Sequence, residues 1–179
     1  MKILIVNGPP RSGKDLFCKA ICNKKGFVYH YSTIDEVKKL AYHLGWDGEK
    51  DEAGRKFLSD LKDALTAYND LPRNFVLQQI QKQIEENNKE SYLISDHALF
   101  LVQSREPADI DRWVKENNAK SLCIYRYDLL RPWGNHADDN IGQYHYDYYL
   151  HNGGTIEEWE TKSLNFIDKI RSEKWESHI

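Results

Sequence analysis

The chain opens with an unbroken apolar run, Ile3-Leu4-Ile5-Val6, set between Lys2 and Asn7. A strand with one wet face alternates apolar and polar positions, so a continuous run predicts a strand over 2–7 buried on both faces. The period then changes. Leu16, Phe17, Ala20 and Ile21 recur three and four apart, which predicts a helix with one face turned inward. Residues 27–31 read as a second short strand and Ile34 to about Leu44 as a second helix, followed by the acidic turn Trp46-Asp47-Gly48-Glu49. Helical spacing returns over 52–68, with Phe57, Leu58, Leu61 and Leu65 on one side. It returns again over 75–87 with Val76, Ile80 and Ile84, and Asn69 to Pro72 punctuates between the two.

The stretch 92–104 is apolar apart from Ser95-Asp96-His97. Its third strand is read as Ala98 to Ser104, because that run leads straight into Arg105-Glu106-Pro107; Tyr92 to Ser95 is the competing choice. A helix over 108–117 and a strand over 121–125 follow. A polar and aromatic segment over 127–143 then leads to a fifth strand over 146–151. Asn152-Gly153-Gly154 is a turn, Thr155 with Glu158 makes a capping box, and Trp159, Phe166, Ile167 and Ile170 form the apolar stripe of a last helix. Strands alternating with helices predict an α/β fold with a mostly parallel sheet in one domain over 1–179. The excursions 33–90 and 127–143 read as insertions, which in compact domains are often lids or binding elements.

Composition narrows this further. At 179 residues, 40% apolar and 30% charged, the chain has a folded domain's size and balance rather than a disordered segment's. A net charge of −3 gives no general drive toward nucleic acid or an anionic membrane, so a polyanion must be bound locally. Three cysteines do not make a disulfide framework, and a reducing, cytoplasmic setting is the expectation. No apolar run approaches ~18 residues, so no spanning helix is expected. The apolar stretch behind Lys2 ends at Val6, too short for a signal-peptide core.

The segment with the most specific chemistry is Gly8-Pro9-Pro10-Arg11-Ser12-Gly13-Lys14, lying between a buried strand and a helix start. Glycines at this spacing let the backbone curl so that successive N–H groups point at phosphate oxygens. The first helical turn, through Asp15 and Leu16, adds unpaired N–H groups and a positive dipole end. Lys14 supplies a full charge for the β- and γ-phosphates. The Ser or Thr that usually follows the lysine is Asp15 here. A carboxylate can ligate Mg²⁺ directly or through water, or serve only as an acidic residue at a helix start.

Arg11-Ser12-Gly13-Lys14-Asp15 resembles the loop of phage-type deoxynucleoside monophosphate kinases and, more distantly, of animal phosphomevalonate kinases. Trp46-Asp47-Gly48-Glu49-Lys50-Asp51 through Gly54-Arg55-Lys56-Phe57-Leu58 is similar to the substrate-side segment of the phage group. Arg105-Glu106-Pro107 with Ile110 resembles its strand-end arginine motif. Asn135 to Asn140, Tyr146-Asp147-Tyr148 and Asn152 to Thr155 resemble its lid and C-terminal region. The resemblance implies a three-layer P-loop NTPase fold of the nucleoside monophosphate kinase kind, with a five-stranded sheet. It also implies ATP with Mg²⁺ as donor and a small monophosphate as acceptor. Where many relatives carry Asp two residues before the strand-end arginine, this chain has Gln103, and its lid offers only Arg126 and Arg131.

Phosphoryl transfer needs positive groups around a spread negative charge. The donor side is assigned to Gly8, Pro9, Pro10, Arg11, Ser12, Gly13, Lys14, Asp15 and Leu16, with Asp15 toward the metal. The acceptor side is assigned to Arg55, Lys62 and Arg105, the last at a strand end where open α/β sheets place ligands. Arg131 is expected to close with the lid, making Lys14, Arg105 and Arg131 the catalytic set. Cys18 and Cys22, four apart, read as packing thiols rather than metal ligands. His136, His145 and His151 are spaced too irregularly for a metal set. The tyrosines 144, 146, 148 and 149 read as packing, although one could stack on a base. Partners are expected to be small nucleotides, not nucleic acid or membrane. A homodimer and a host cytoplasm, if the chain is phage-encoded, are left open. A kinase of another small phosphate and a non-catalytic nucleotide-binding protein are the rival readings.

Overall fold

Five extended segments lie side by side in one sheet, since ladder pairing alone satisfies the backbone of the three central ones, which are buried on both faces. The computed structural model describes residues 1–90, 97–127 and 140–175. The strands are β1 (Lys2–Asn7), β2 (Val28–Ser32), β3 (Leu99–Gln103), β4 (Lys120–Tyr125) and β5 (Tyr148–His151), in the order β2-β3-β1-β4-β5. All four pairings are parallel, and β1 lies at the centre between β3 and β4.

The period of two sorts the side chains into two cores. Ile3, Ile5, Phe100, Val102 and Cys123 face one side and pack with Val76 and Ile80 of α4 (Leu71–Glu90) and Ile110 and Trp113 of α5 (Pro107–Asn117). Leu4, Val6, Leu99, Leu101, Leu122, Ile124 and Leu150 face the other. They pack with Phe17, Cys18 and Ile21 of α1 (Lys14–Lys24) and Trp159 and Ile167 of α6 (Ile156–Ser172). The layers are helix, sheet, helix. A smaller cluster of Val37, Ala41 and Leu58 joins α2 (Asp35–His43) to α3 (Glu52–Asn69). No helix among the described residues is long and apolar enough to cross a membrane.

Several expectations hold, and others shift for visible reasons. The third strand is the Ala98 to Ser104 choice, while 91–96 lies outside the described residues. The capping box of α6 is complete, Thr155 accepting from the Glu158 N–H and Glu158 from the Thr155 N–H. The break before α4 is shorter than expected. Asp70 alone, in the left-handed conformation at φ 54°, ends α3, and Pro72 is accommodated in the first turn of α4, where no intrahelical N–H is needed. Phe57 does not join the buried side of α3; only Leu58 is buried, with Leu61 and Leu65 packed against its cluster. The fifth strand starts at Tyr148 rather than at 146. The stretch 33–90 is not uniform, since α4 covers the sheet while α2 and α3 make their own cluster. Of the expected lid, 128–139 lies outside the described residues.

Candidate phosphate-binding site

The loop between β1 and α1 sits at the C-terminal edge of the sheet, on the central strand. Gly8 has φ 146°, and a Cβ there would lie 2.0 Å from the Ile124 carbonyl oxygen of β4. Gly13 has φ 96°, and a Cβ there would lie 2.3 Å from the Asn152 side-chain nitrogen. Both positions therefore favour glycine, Gly8 because a neighbouring strand's backbone is too close and Gly13 because its φ lies in the left-handed region. Between them a turn closes from the Ser12 N–H to the Pro9 carbonyl at 3.2 Å. Pro10 supplies the preset φ of its second position, and Arg11 takes its third at φ 64°. A positive φ at a non-glycine residue is strain of the kind that gathers at ligand loops.

Lys14 is buried, and its ammonium donates to the carbonyls of Gly8 at 2.6 Å and Pro9 at 2.8 Å. The loop is wrapped around its own cation. No side chain caps the N-terminus of α1, so its first-turn N–H groups face outward with the dipole's positive end. That combination of buried charge, curled backbone and open helix start suits an anion of phosphate size.

Contacts distant in sequence prop the loop. Asn7, fully buried, accepts the Gly8 N–H at 2.8 Å and donates to the Arg105 carbonyl at 3.0 Å and the Tyr146 hydroxyl at 2.8 Å. Burial pushes the Tyr146 phenol's pKa upward, so it stays a neutral hydroxyl in that bond. Asn152 donates to the Ser12 carbonyl at 2.8 Å. Trp159 and Phe17 meet at 6.1 Å between ring centroids, pinning α6 to α1 behind the loop. Two buried polar atoms beside it, Ser12 Oγ and Trp159 Nε1, have no hydrogen-bond partner among the described residues.

Asp15 follows the lysine and is exposed. The Gln103 side-chain N–H donates to its Oδ1 at 2.9 Å. That bond, helped by the positive charge of Lys14, His30 and Lys50, holds the carboxyl below its ordinary value of 3.8. Lys50 comes from the turn before α3. There the Trp46 Nε1 donates to the Glu49 carbonyl at 3.0 Å, and Asp51 caps the Gly54 N–H at 2.8 Å. The turn between α2 and α3 lies close enough to the loop for the Lys50 charge to reach Asp15.

The acceptor-side residues divide. Arg55 is exposed at the start of α3, its Nε donating to the Lys50 carbonyl at 2.7 Å. Arg105 is exposed just past β3, and its carbonyl holds Asn7. Lys62 is committed elsewhere, bonding Asp109 of α5 at 2.8 Å with both side chains mostly buried, so it ties α3 to α5. Arg131 lies outside the described residues. Sequence reasoning gave Asn7 no site role, and named Lys50, Tyr146 and Asn152 chiefly within the segments that resemble the phage-type kinases. Asn7, a polar residue closing an apolar strand, did leave a local signal.

Of the remaining candidates, His136 lies outside the described residues. Cys18 and Cys123 are buried and Cys22 half-buried, and burial raises the pKa of all three thiols. Among the described residues no group of three or more His, Cys, Asp or Glu side chains is placed to hold a metal. His151 packs on Tyr125 and Tyr127 at the end of β5. Tyr144 bonds Asp111 and Tyr148 bonds Glu173.

No protein-family model matches the chain, and no curated protein matches it. Among solved structures it is similar to a mutant of the APS kinase CysC from Mycobacterium tuberculosis, at 15% identity and a TM-score of 0.41, over 93% of this chain and 96% of that one. The fold described above rests on this chain's own strand order and register.

Proposed function

We propose that this chain is a phosphotransferase that moves the γ-phosphoryl group of ATP onto a nucleoside or deoxynucleoside monophosphate. The observation that carries the reading is Lys14, buried in a glycine loop at the end of the central strand with its ammonium on the Gly8 and Pro9 carbonyls. Taking an ammonium out of water is costly, and a phosphate bound in the loop would use its charge. In this reading the loop N–H groups and Lys14 hold the β- and γ-phosphates of ATP. Asp15 supplies the oxygen donor for Mg²⁺; an ionised carboxylate next to the phosphate cradle fits a hard cation that keeps most of its waters. Bound there, the metal would offset charge on the transferring group.

The protein's own contribution is positioning and electrostatics rather than covalent chemistry. In this reading Arg105 at the end of β3 and Arg55 at the start of α3 turn to the acceptor phosphate. Arg131 enters on the resemblance to phage-type kinases alone. The test is transfer from labelled ATP, with Mg²⁺, to a panel of ribo- and deoxyribonucleoside monophosphates and phosphomevalonate. A labelled nucleoside diphosphate supports the proposal. Label on phosphomevalonate alone moves the chain to another acceptor class, and ATP binding without transfer to any acceptor leaves a nucleotide-binding protein instead.

A further inference from the structure

The C-terminal end of β3 carries an amide, Gln103, directly opposite the one carboxylate of the phosphate loop. We propose that Gln103 is a positioning residue for Asp15: its side-chain N–H grips one oxygen of the carboxylate and presents the other to the metal that accompanies ATP. The inference rests on the phosphotransferase reading and adds the residue that holds the ligand carboxylate in place.

The bond is 2.9 Å from Gln103 Nε2 to Asp15 Oδ1. An ionised carboxylate has no proton to give, so the amide must turn its N–H toward it, which fixes the amide's orientation. The same nitrogen lies 3.9 Å from Cys18 Sγ, a buried atom one turn along α1, so the amide is steadied from below. The two partners differ in stiffness. Gln103 is held from both sides, its Cα in register with Val6 of β1 and Ser32 of β2. Its carbonyl accepts from the Thr33 N–H at 3.1 Å and from the Thr33 hydroxyl at 3.3 Å. Asp15 is an exposed side chain on the first turn of a helix. A bond between them ties an exposed carboxylate to a strand paired on both sides. Groups that orient a metal's ligand in this way control affinity nearly as strongly as the ligand itself. A hydrogen bond to the ionised form also keeps the carboxylate charged.

The competing role is mechanical: Gln103 could simply join α1 to the sheet. Magnesium separates the two. ATP affinity is measured by calorimetry with Mg²⁺ and with EDTA for the wild type, Gln103→Met, Asp15→Asn and the double variant. Methionine keeps the length of glutamine and removes the donor. The expected result is that Gln103→Met loses roughly tenfold of the magnesium-dependent gain in ATP affinity, keeps its affinity in EDTA, and adds no further loss to Asp15→Asn. Equal losses with and without magnesium, additive losses in the double variant, or an unchanged magnesium gain each overturn the proposal. Should the Met variant fail to fold, Gln103→Glu keeps length and polarity, and the same criterion applies: a change confined to magnesium supports the proposal and an equal change refutes it. A wild type that binds no ATP overturns the phosphotransferase reading and this inference together. A wild type whose magnesium gain survives in Gln103→Met overturns this inference alone.

Discussion

The two sides of the candidate site are built to different standards. On the loop side, Asn7, Ser12 and Lys14 are buried, the glycines are wedged against β4 and Asn152, and α1 packs on one of the two sheet cores through Phe17, Cys18 and Ile21. On the α2–α3 side the cluster has three buried residues, Val37, Ala41 and Leu58. Tyr42, Leu44 and Tyr68 stand mostly in solvent there. The turn that brings Lys50 near the loop is held chiefly by its own short-range bonds, Trp46 to the Glu49 carbonyl and Arg55 to the Lys50 carbonyl. Few buried contacts mean a low cost of local opening. On the proposed function, a firmly packed loop facing a more lightly packed helical pair is the distribution expected where one ligand is held in fixed geometry and another must enter and leave.

Lys14→Ala attacks the rigid side where it bears on function, and has the largest expected effect. ATP affinity should fall at least ~100-fold and transfer should vanish, because the charge aimed at the phosphates is gone. Binding within threefold of wild type in a folded variant would remove the loop from the site. Asn7→Leu attacks the same side structurally. It strands the Gly8 N–H, the Arg105 carbonyl and the Tyr146 hydroxyl, and should cost about 3 kcal/mol in urea melts. A cost under about 1 kcal/mol would mean that the loop's support lies elsewhere.

Leu58→Ala tests the looser side. The loss expected is about 2 kcal/mol, at the low end for a buried leucine, because a small cluster can close over the gap. Hydrogen exchange should quicken in α2 and α3 while β1 and β3 stay protected; uniform quickening would make the two sides one cooperative unit. The smallest effect concerns the thiols. Alkylation needs the thiolate, and burial moves Cys123 up to about 11 and Cys18 further still, so both remain protonated at neutral pH. In native protein Cys22, half-buried, should label first by mass spectrometry at pH 8. Labelling of Cys123 should climb as the pH approaches its raised value. Cys18 reacting as fast as Cys22 would show that α1 opens as readily as α2 and α3.

The sequence by itself determined what depends on near neighbours. The run Ile3 to Val6 became the central strand because a segment apolar on both sides has nowhere else to go. The Gly8 and Gly13 positions and Lys14 were legible because the spacing itself sets the backbone curl, and the Thr155–Glu158 box because its partners are three residues apart. Tertiary structure alone decided the rest. Asn7 meets Tyr146 across 139 positions, Asn152 meets the Ser12 carbonyl across 140, and Gln103 meets Asp15 across 88. Lys62, which reads as a free cation, is spent on Asp109, and Phe57 turns outward while Leu58 turns in. No local pattern encodes such pairings. Which polar side chains share a strand end depends on sheet order and register, and these are set by burying the whole apolar surface at once.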